Sequence, residues 1–143
     1  MEPEELEALI RERFKRYEEI IQKEARYEEE DADTNGSDIV VVSYGIASRI
    51  CRTAVKMARE RGVRAGYFRP VTLWPFPNKP LLECAKRTKR FLTVELNMGQ
   101  MRDDVKLAVE CSRPVDFYGR TGGMIPSPEE IADEIVRLAG NNK

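Results

Sequence analysis

The sequence predicts a three-layer α/β/α domain: a doubly wound, mainly parallel sheet of about four strands, preceded by an amphipathic helix. Three observations predict it. After residue 36, β-branched apolar runs alternate with segments of helical period. Those runs lack polar alternation, as strands covered by helices on both faces do. A length of 143 residues suits one domain with one core.

The N-terminal helix comes first. Leu6, Leu9, Ile10, Phe14, Tyr17, Ile20 and Ile21 recur at spacings of three and four and draw one apolar stripe. Pairs such as Glu12–Arg16 and Glu19–Lys23 decorate the opposite face. The run "YEEEDADTNGSD" then reads as an acidic hinge, with mutual repulsion and the Asn35-Gly36 turn signal ending the helix. Residues 1–36 are therefore read as connector helix and hinge, and residues 37–143 as the α/β domain. The helix either folds onto its own domain or packs on a neighbouring domain or chain.

"DIVVVSYG" is the first strand of the repeating part, followed by a helix over residues 48–61 with Ile50, Ala54, Val55 and Ala58 on one side. "VRAGYFRP" is a strand, "NKPLLECAKRT" a helix, "RFLTVEL" a strand, "QMRDDVKLAVEC" a helix and "RPVDFYG" a strand. The last helix starts at "SPEE": Ser127 caps it, Pro128 suits the first helical position and Glu130 completes a capping box. For so small a unit the expected strand order is 2-1-3-4.

Charge is unevenly spread. Residues 1–34 carry 13 acidic and 6 basic side chains, net −7, and residues 35–143 carry 12 acidic and 18 basic, net +6. The overall −1 argues against a general affinity for nucleic acid or anionic membrane. No apolar run reaches the roughly 18–20 residues needed to span a bilayer, so a cytoplasmic protein is expected. Cys51, Cys84 and Cys111 lack C-x-x-C spacing and read as buried, reduced thiols. With no histidine in the chain, Ser–His–Asp and Cys–His chemistry and imidazole metal ligation are excluded.

Ligands of such sheets sit beyond the carboxyl ends of the strands, where four loops meet. "SYGIAS" lacks both the dinucleotide and the phosphate-loop glycine patterns, although Ser48 at a helix start offers weak anion binding. "FRPVTLWPFP" sets Trp74 and Phe76 among prolines. That pair is a plug for the chain's own core, a ligand shelf flanked by Arg69 and Asn78, or a docking surface stiffened by prolines. "ELNMGQMRDD" carries Glu95, Asn97 and Gln100 around Gly99; Glu95 is either a base or an acceptor for N–H groups of its own turn. "GRTGGMIPSP" places Arg120 as a carboxylate clamp beside either an anion nest or a flexible entry to a capped helix. These groups make no convincing catalytic set. The candidate interface is Trp74, Phe76, Asn97, Gln100 and Arg120.

In this order and spacing, "VVSYG", "FRPVTLWPFP", "VELNMGQM" and "GRTGGMIPSPEEI" resemble the C-terminal domain of the α subunit of 2-oxoacid:ferredoxin oxidoreductases. The resemblance is greatest to the 2-oxoglutarate type and covers roughly residues 37–139. The N-terminal helix resembles the linker before that domain, which is itself similar to the C-terminal domain of transketolase. What the resemblance implies is an enzyme using thiamine diphosphate, Mg, an iron–sulfur cluster and CoA. Such an enzyme converts a 2-oxoacid and CoA to acyl-CoA, CO2 and reduced ferredoxin. In the family, the thiamine site and the cluster belong to the N-terminal α domain and the β subunit, neither present here. No catalytic, cofactor-binding or metal-ligating role therefore carries over to a residue of this chain, which is expected to be inactive alone. The implied role is structural, with the remaining α domain, the β subunit and ferredoxin as partners of the complete enzyme. Independently of the resemblance, the apolar stripe of the N-terminal helix in an isolated chain is expected to pair with a copy of itself or with another surface. The other reading is a free-standing α/β module binding a nucleotide or CoA at the loop edge.

Overall fold

A computed structural model describes residues 2–32 and 35–140. The elements are α1 (Pro3–Glu24), β1 (Tyr27–Glu30), β2 (Ile39–Ser43), α2 (Gly45–Glu60), β3 (Ala65–Pro70), α3 (Asn78–Lys86), β4 (Phe91–Glu95), α4 (Gln100–Ala108), β5 (Val115–Gly119) and α5 (Pro128–Gly140). They build one sheet in the order β1-β3-β2-β4-β5. The strands from β2 to β5 pair parallel, and β1 lies antiparallel on β3. Without β1, this is the expected 2-1-3-4 arrangement.

Burial explains why the strands show no polar alternation. Every residue of β2 is buried. Ile39 and Val41 join the cluster under α2 and α5, whereas Val40 and Val42 join the one under α3 and α4. One strand thus feeds two cores, and each such side chain contributes about 1.5–3 kcal/mol. Helix α2 begins at Gly45, three residues earlier than its periodicity indicated, and presents Cys51, Ala54, Val55 and Ala58 to the core. The expected capping box of α5 forms: the Ser127 hydroxyl accepts from the Glu130 N–H at 3.2 Å, and the Ser127 N–H donates to the Glu130 carboxylate at 2.8 Å.

The acidic run is not simply a hinge. Tyr27–Glu30 forms a fifth strand, in register from Tyr27↔Pro70 to Glu30↔Tyr67. Counting charges along the chain missed the arginines that face it. Glu28 pairs with Arg52 (2.8 Å) and Arg69 (3.1 Å), and Glu30 pairs with Arg59 (2.6 Å). Arg87 takes both Glu29 and Asp31. Attraction across elements replaces the expected repulsion along the run. The Tyr27 ring also stacks on Phe68 at 5.2 Å. Within the same run, Asp33 and Thr34 lie outside the described residues. At Gly36 the backbone turns with φ +88°, and a Cβ there would stand 2.1 Å from the Arg87 carbonyl oxygen, so only glycine fits.

Helix α1 buries none of its residues. Its stripe, from Leu6 to Ile21, is exposed along its length. Among the thiols, Cys51 and Cys84 are buried as expected, and desolvation pushes each up to about 12. Cys111 is exposed, contrary to expectation. It follows α4 in a left-handed turn with Glu110, both at φ 53°, which carries the chain away from the core.

Candidate functional site

The proline-rich loop after β3 is tied to the segment joining α1 to β1. The Arg26 N–H donates to the Thr72 hydroxyl at 2.9 Å, and that hydroxyl donates onward to the Pro75 carbonyl at 2.8 Å. The N–H groups of Val71 and Thr72 donate to the Arg26 carbonyl. So anchored, the loop splits its two aromatics. Trp74 is 59% exposed and meets the edge of Tyr17, which in turn meets Phe14, in a row with centroids 5.6 and 5.7 Å apart. Phe76 instead packs half-buried against the cluster containing Phe68 and Leu81. The shared loop had implied a shared fate; only Trp74 faces outward. A cleft of about 650 Å³ opens between the end of α1 at Ile21 and Ala25 and the Phe76–Pro80 segment.

The third loop is built around two acceptors. Glu95, 1% exposed at the end of β4, takes the Met101 N–H on one carboxylate oxygen (2.8 Å) and the Arg102 N–H on the other (2.9 Å). Its carboxylate caps α4, which is the plainer of the two expected roles. The Asn97 side-chain carbonyl accepts from the Gly99 and Gln100 N–H groups (2.7 and 3.3 Å), while its amide donates to the Tyr44 hydroxyl (3.1 Å). Gly99 sits at φ +102°, a conformation suited to glycine in such a turn. Asn97 and Gln100 therefore lie together. Arg120 lies on the β5–α5 side, over the Tyr118 ring and paired with Glu130 (2.5 Å). The Ser48 hydroxyl donates to the Gly45 carbonyl at 2.6 Å.

Strand order reverses between β2 and β4, the usual ligand position in such sheets. The crevice there, lined by Tyr44 to Ala47 with Glu95 and Leu96, holds about 120 Å³, well below the roughly 300 Å³ and more of ordinary small-molecule sites. Around these loops, Ile46, Met98, Met124 and Ile125 project apolar side chains outward, with Met98 78% exposed. Sequence reading missed them because apolar residues in loops, or at the very start of a helix as Ile46 is, carry no periodicity.

Metal and cluster ligation fit poorly. Among the described residues, Glu29, Asp31 and Cys84 approach one another closely enough to share an ion. Both carboxylates are held by Arg87, however, and burial keeps the Cys84 thiol protonated. Cys51 and Cys84 belong to the clusters on opposite faces of the sheet and Cys111 to the turn after α4, so the three sulfurs form no cluster ligand set.

The chain has counterparts among known proteins. Residues 37–131 match the family described as "Pyruvate:ferredoxin oxidoreductase core domain II". This chain belongs to that family. Ketoisovalerate oxidoreductase subunit VorB of Methanothermobacter thermautotrophicus is 40% identical over 141 residues, 99% of this chain and 38% of its own length. 2-Oxoglutarate synthase subunit KorA of Methanothermobacter marburgensis is 44% identical over 105 residues, 73% of this chain and 28% of its own. The domain thus spans well under half the length of these curated relatives. In fold it is similar to a 2-oxoglutarate:ferredoxin oxidoreductase from Magnetococcus marinus (TM-score 0.81, 20% identity, 96% of this chain and 24% of that one). It is also similar to a split-gene transketolase (TM-score 0.59, 22% identity, 74% and 38%). Among the described residues no helix is long and apolar enough to cross a membrane.

Proposed function

We propose that this domain II chain is a non-catalytic assembly domain of the α subunit of a thiamine-diphosphate-dependent 2-oxoacid:ferredoxin oxidoreductase. It helps hold the remaining α domain and the β subunit around the cofactor, and those portions carry the thiamine diphosphate, Mg, iron–sulfur cluster and CoA chemistry. One observation carries this reading: the uncovered apolar stripe of α1 continues through Phe14 and Tyr17 onto exposed Trp74. Aromatics at a well-ordered surface are the usual anchors of protein interfaces. Glu95 and Arg120 are both engaged in local bonds, which supports the absence of a catalytic role for either.

For the substrate we assign 2-oxoglutarate, supported by the identity to KorA. Ketoisovalerate is the second reading, favoured by the VorB match, which takes in α1 as well. Co-expression with the missing α portion and a β chain tests the whole proposal. The three should co-elute, Trp74→Ala should weaken association by about 2 kcal/mol, and the assembled enzyme should reduce ferredoxin with the preferred 2-oxoacid. The chain alone should reduce no viologen dye with any 2-oxoacid. Turnover by the isolated chain would refute the assembly role.

A further inference from the structure

One face of α2 repeats Arg49, Arg52, Thr53 and Lys56 at positions i, i+3, i+4 and i+7. That face looks onto the end of β3, where Tyr67 and Arg69 complete a pocket of about 240 Å³. Two of its four cations are already oriented. The Arg52 guanidinium lies over the Tyr67 ring, 5.4 Å from its centre, and bonds Glu28 at 2.8 Å; Arg69 bonds the same carboxylate at 3.1 Å. Among the described residues, Arg49 and Lys56 make no side-chain ion pair or hydrogen bond, and both line the pocket. Two of the four cations thus share one internal carboxylate, and the other two are left without one.

We propose that this pocket binds a diphosphate group, free or carried on a small molecule. Glu28 shows that an oxyanion is accepted between Arg52 and Arg69, and the surplus charge of Arg49 and Lys56 lies along the same helix face. A diphosphate brings roughly three negative charges and several acceptor oxygens, enough to meet those two cations and the Thr53 hydroxyl together. A single carboxylate lacks the charge to do so. The pocket volume admits such a head group while leaving the rest of a larger ligand in solvent. The Tyr67 ring beneath the Arg52 guanidinium restrains that side chain independently of Glu28 and so lowers the entropy it loses on binding. The site is distinct from the small crevice between β2 and β4.

Titration calorimetry of the full chain with inorganic pyrophosphate, at low and at physiological salt, tests this. Pyrophosphate should bind, and Arg49→Ala/Lys56→Ala should weaken it by about tenfold or more, since both substituted cations lie outside the core and its ion pairs. Glu28→Gln, which removes the internal competitor, should tighten it. ADP in the same titration separates the sources: equal binding points to a carried diphosphate, and binding of pyrophosphate alone to the free anion. No heat with either ligand at low salt, or binding that survives the double substitution, would overturn the proposal. So would weaker binding by Glu28→Gln.

Discussion

Asp38 leads into β2 with the Arg64 guanidinium on both carboxylate oxygens (3.0 and 3.2 Å) and Lys89 at 2.8 Å. The Arg64 hydrogen bonds are the chief cause that holds its carboxyl down, from 3.8 to about 2, with Lys89 adding to them against desolvation. A depressed carboxyl stabilises the fold at pH values above its unfolded pKa, and that contribution is lost as pH falls from about 3.8 through about 2. Asp38→Asn should therefore cost roughly 1–2 kcal/mol near neutrality, allowing for partial solvent screening. The gap to the parent protein should close towards pH 2. Urea unfolding across that range reads it directly; a gap independent of pH would rule out the charge as the cause. Single residues differ in how far sequence discloses them. Glu95 was legible as an acceptor in its own turn, because a carboxylate just before a glycine and a helix start has N–H groups within reach. Cys111 was not: hydropathy assigns a thiol to the core, whereas the left-handed turn that exposes it follows from how the chain leaves α4.

Among the elements, the loop after β3 makes the sharpest forecast. Trp74 is mostly exposed and meets the outer aromatic row at Tyr17, so Trp74→Ala should cost under about 1 kcal/mol. Phe76 packs on the α3–α4 core, so Phe76→Ala should cost about 2 kcal/mol, below the 3–5 of a fully buried ring. Thermal melts of the two variants test the ranking; equal losses would mean that the loop acts as one plug. Trp74 is the sole tryptophan, so its emission in the parent should be that of a water-exposed indole. The parallel strands and capped α5 were readable because their signals are local: continuous apolar runs, and Ser127 three residues before Glu130. Strand β1 was not readable. The partners of its carboxylates, Arg52, Arg59, Arg69 and Arg87, lie 24 to 58 residues further along the chain. No window around "YEEE" contains them.

At the scale of the whole molecule, the body from β1 onward has its own two-faced core, and α1 adds no buried residue to it. Deleting residues 3–24 should leave the melting of the body nearly unchanged, within about 1 kcal/mol in stability. It should also abolish the concentration-dependent association expected of a full chain with an uncovered stripe. Sedimentation of both proteins over a wide concentration range checks this, and a truncated body that unfolds would show that α1 stabilises it after all. The junction of α1 with the loop, held by the three backbone N–H bonds at Arg26, Val71 and Thr72, has a mechanical consequence. A helix of 22 residues reaches about 33 Å, so a tilt of about 10° at that root would carry its far end about 6 Å sideways. Thr72 is the fulcrum of a long lever. Small slack there, far from any surface the tip touches, would set the aiming error of the whole arm.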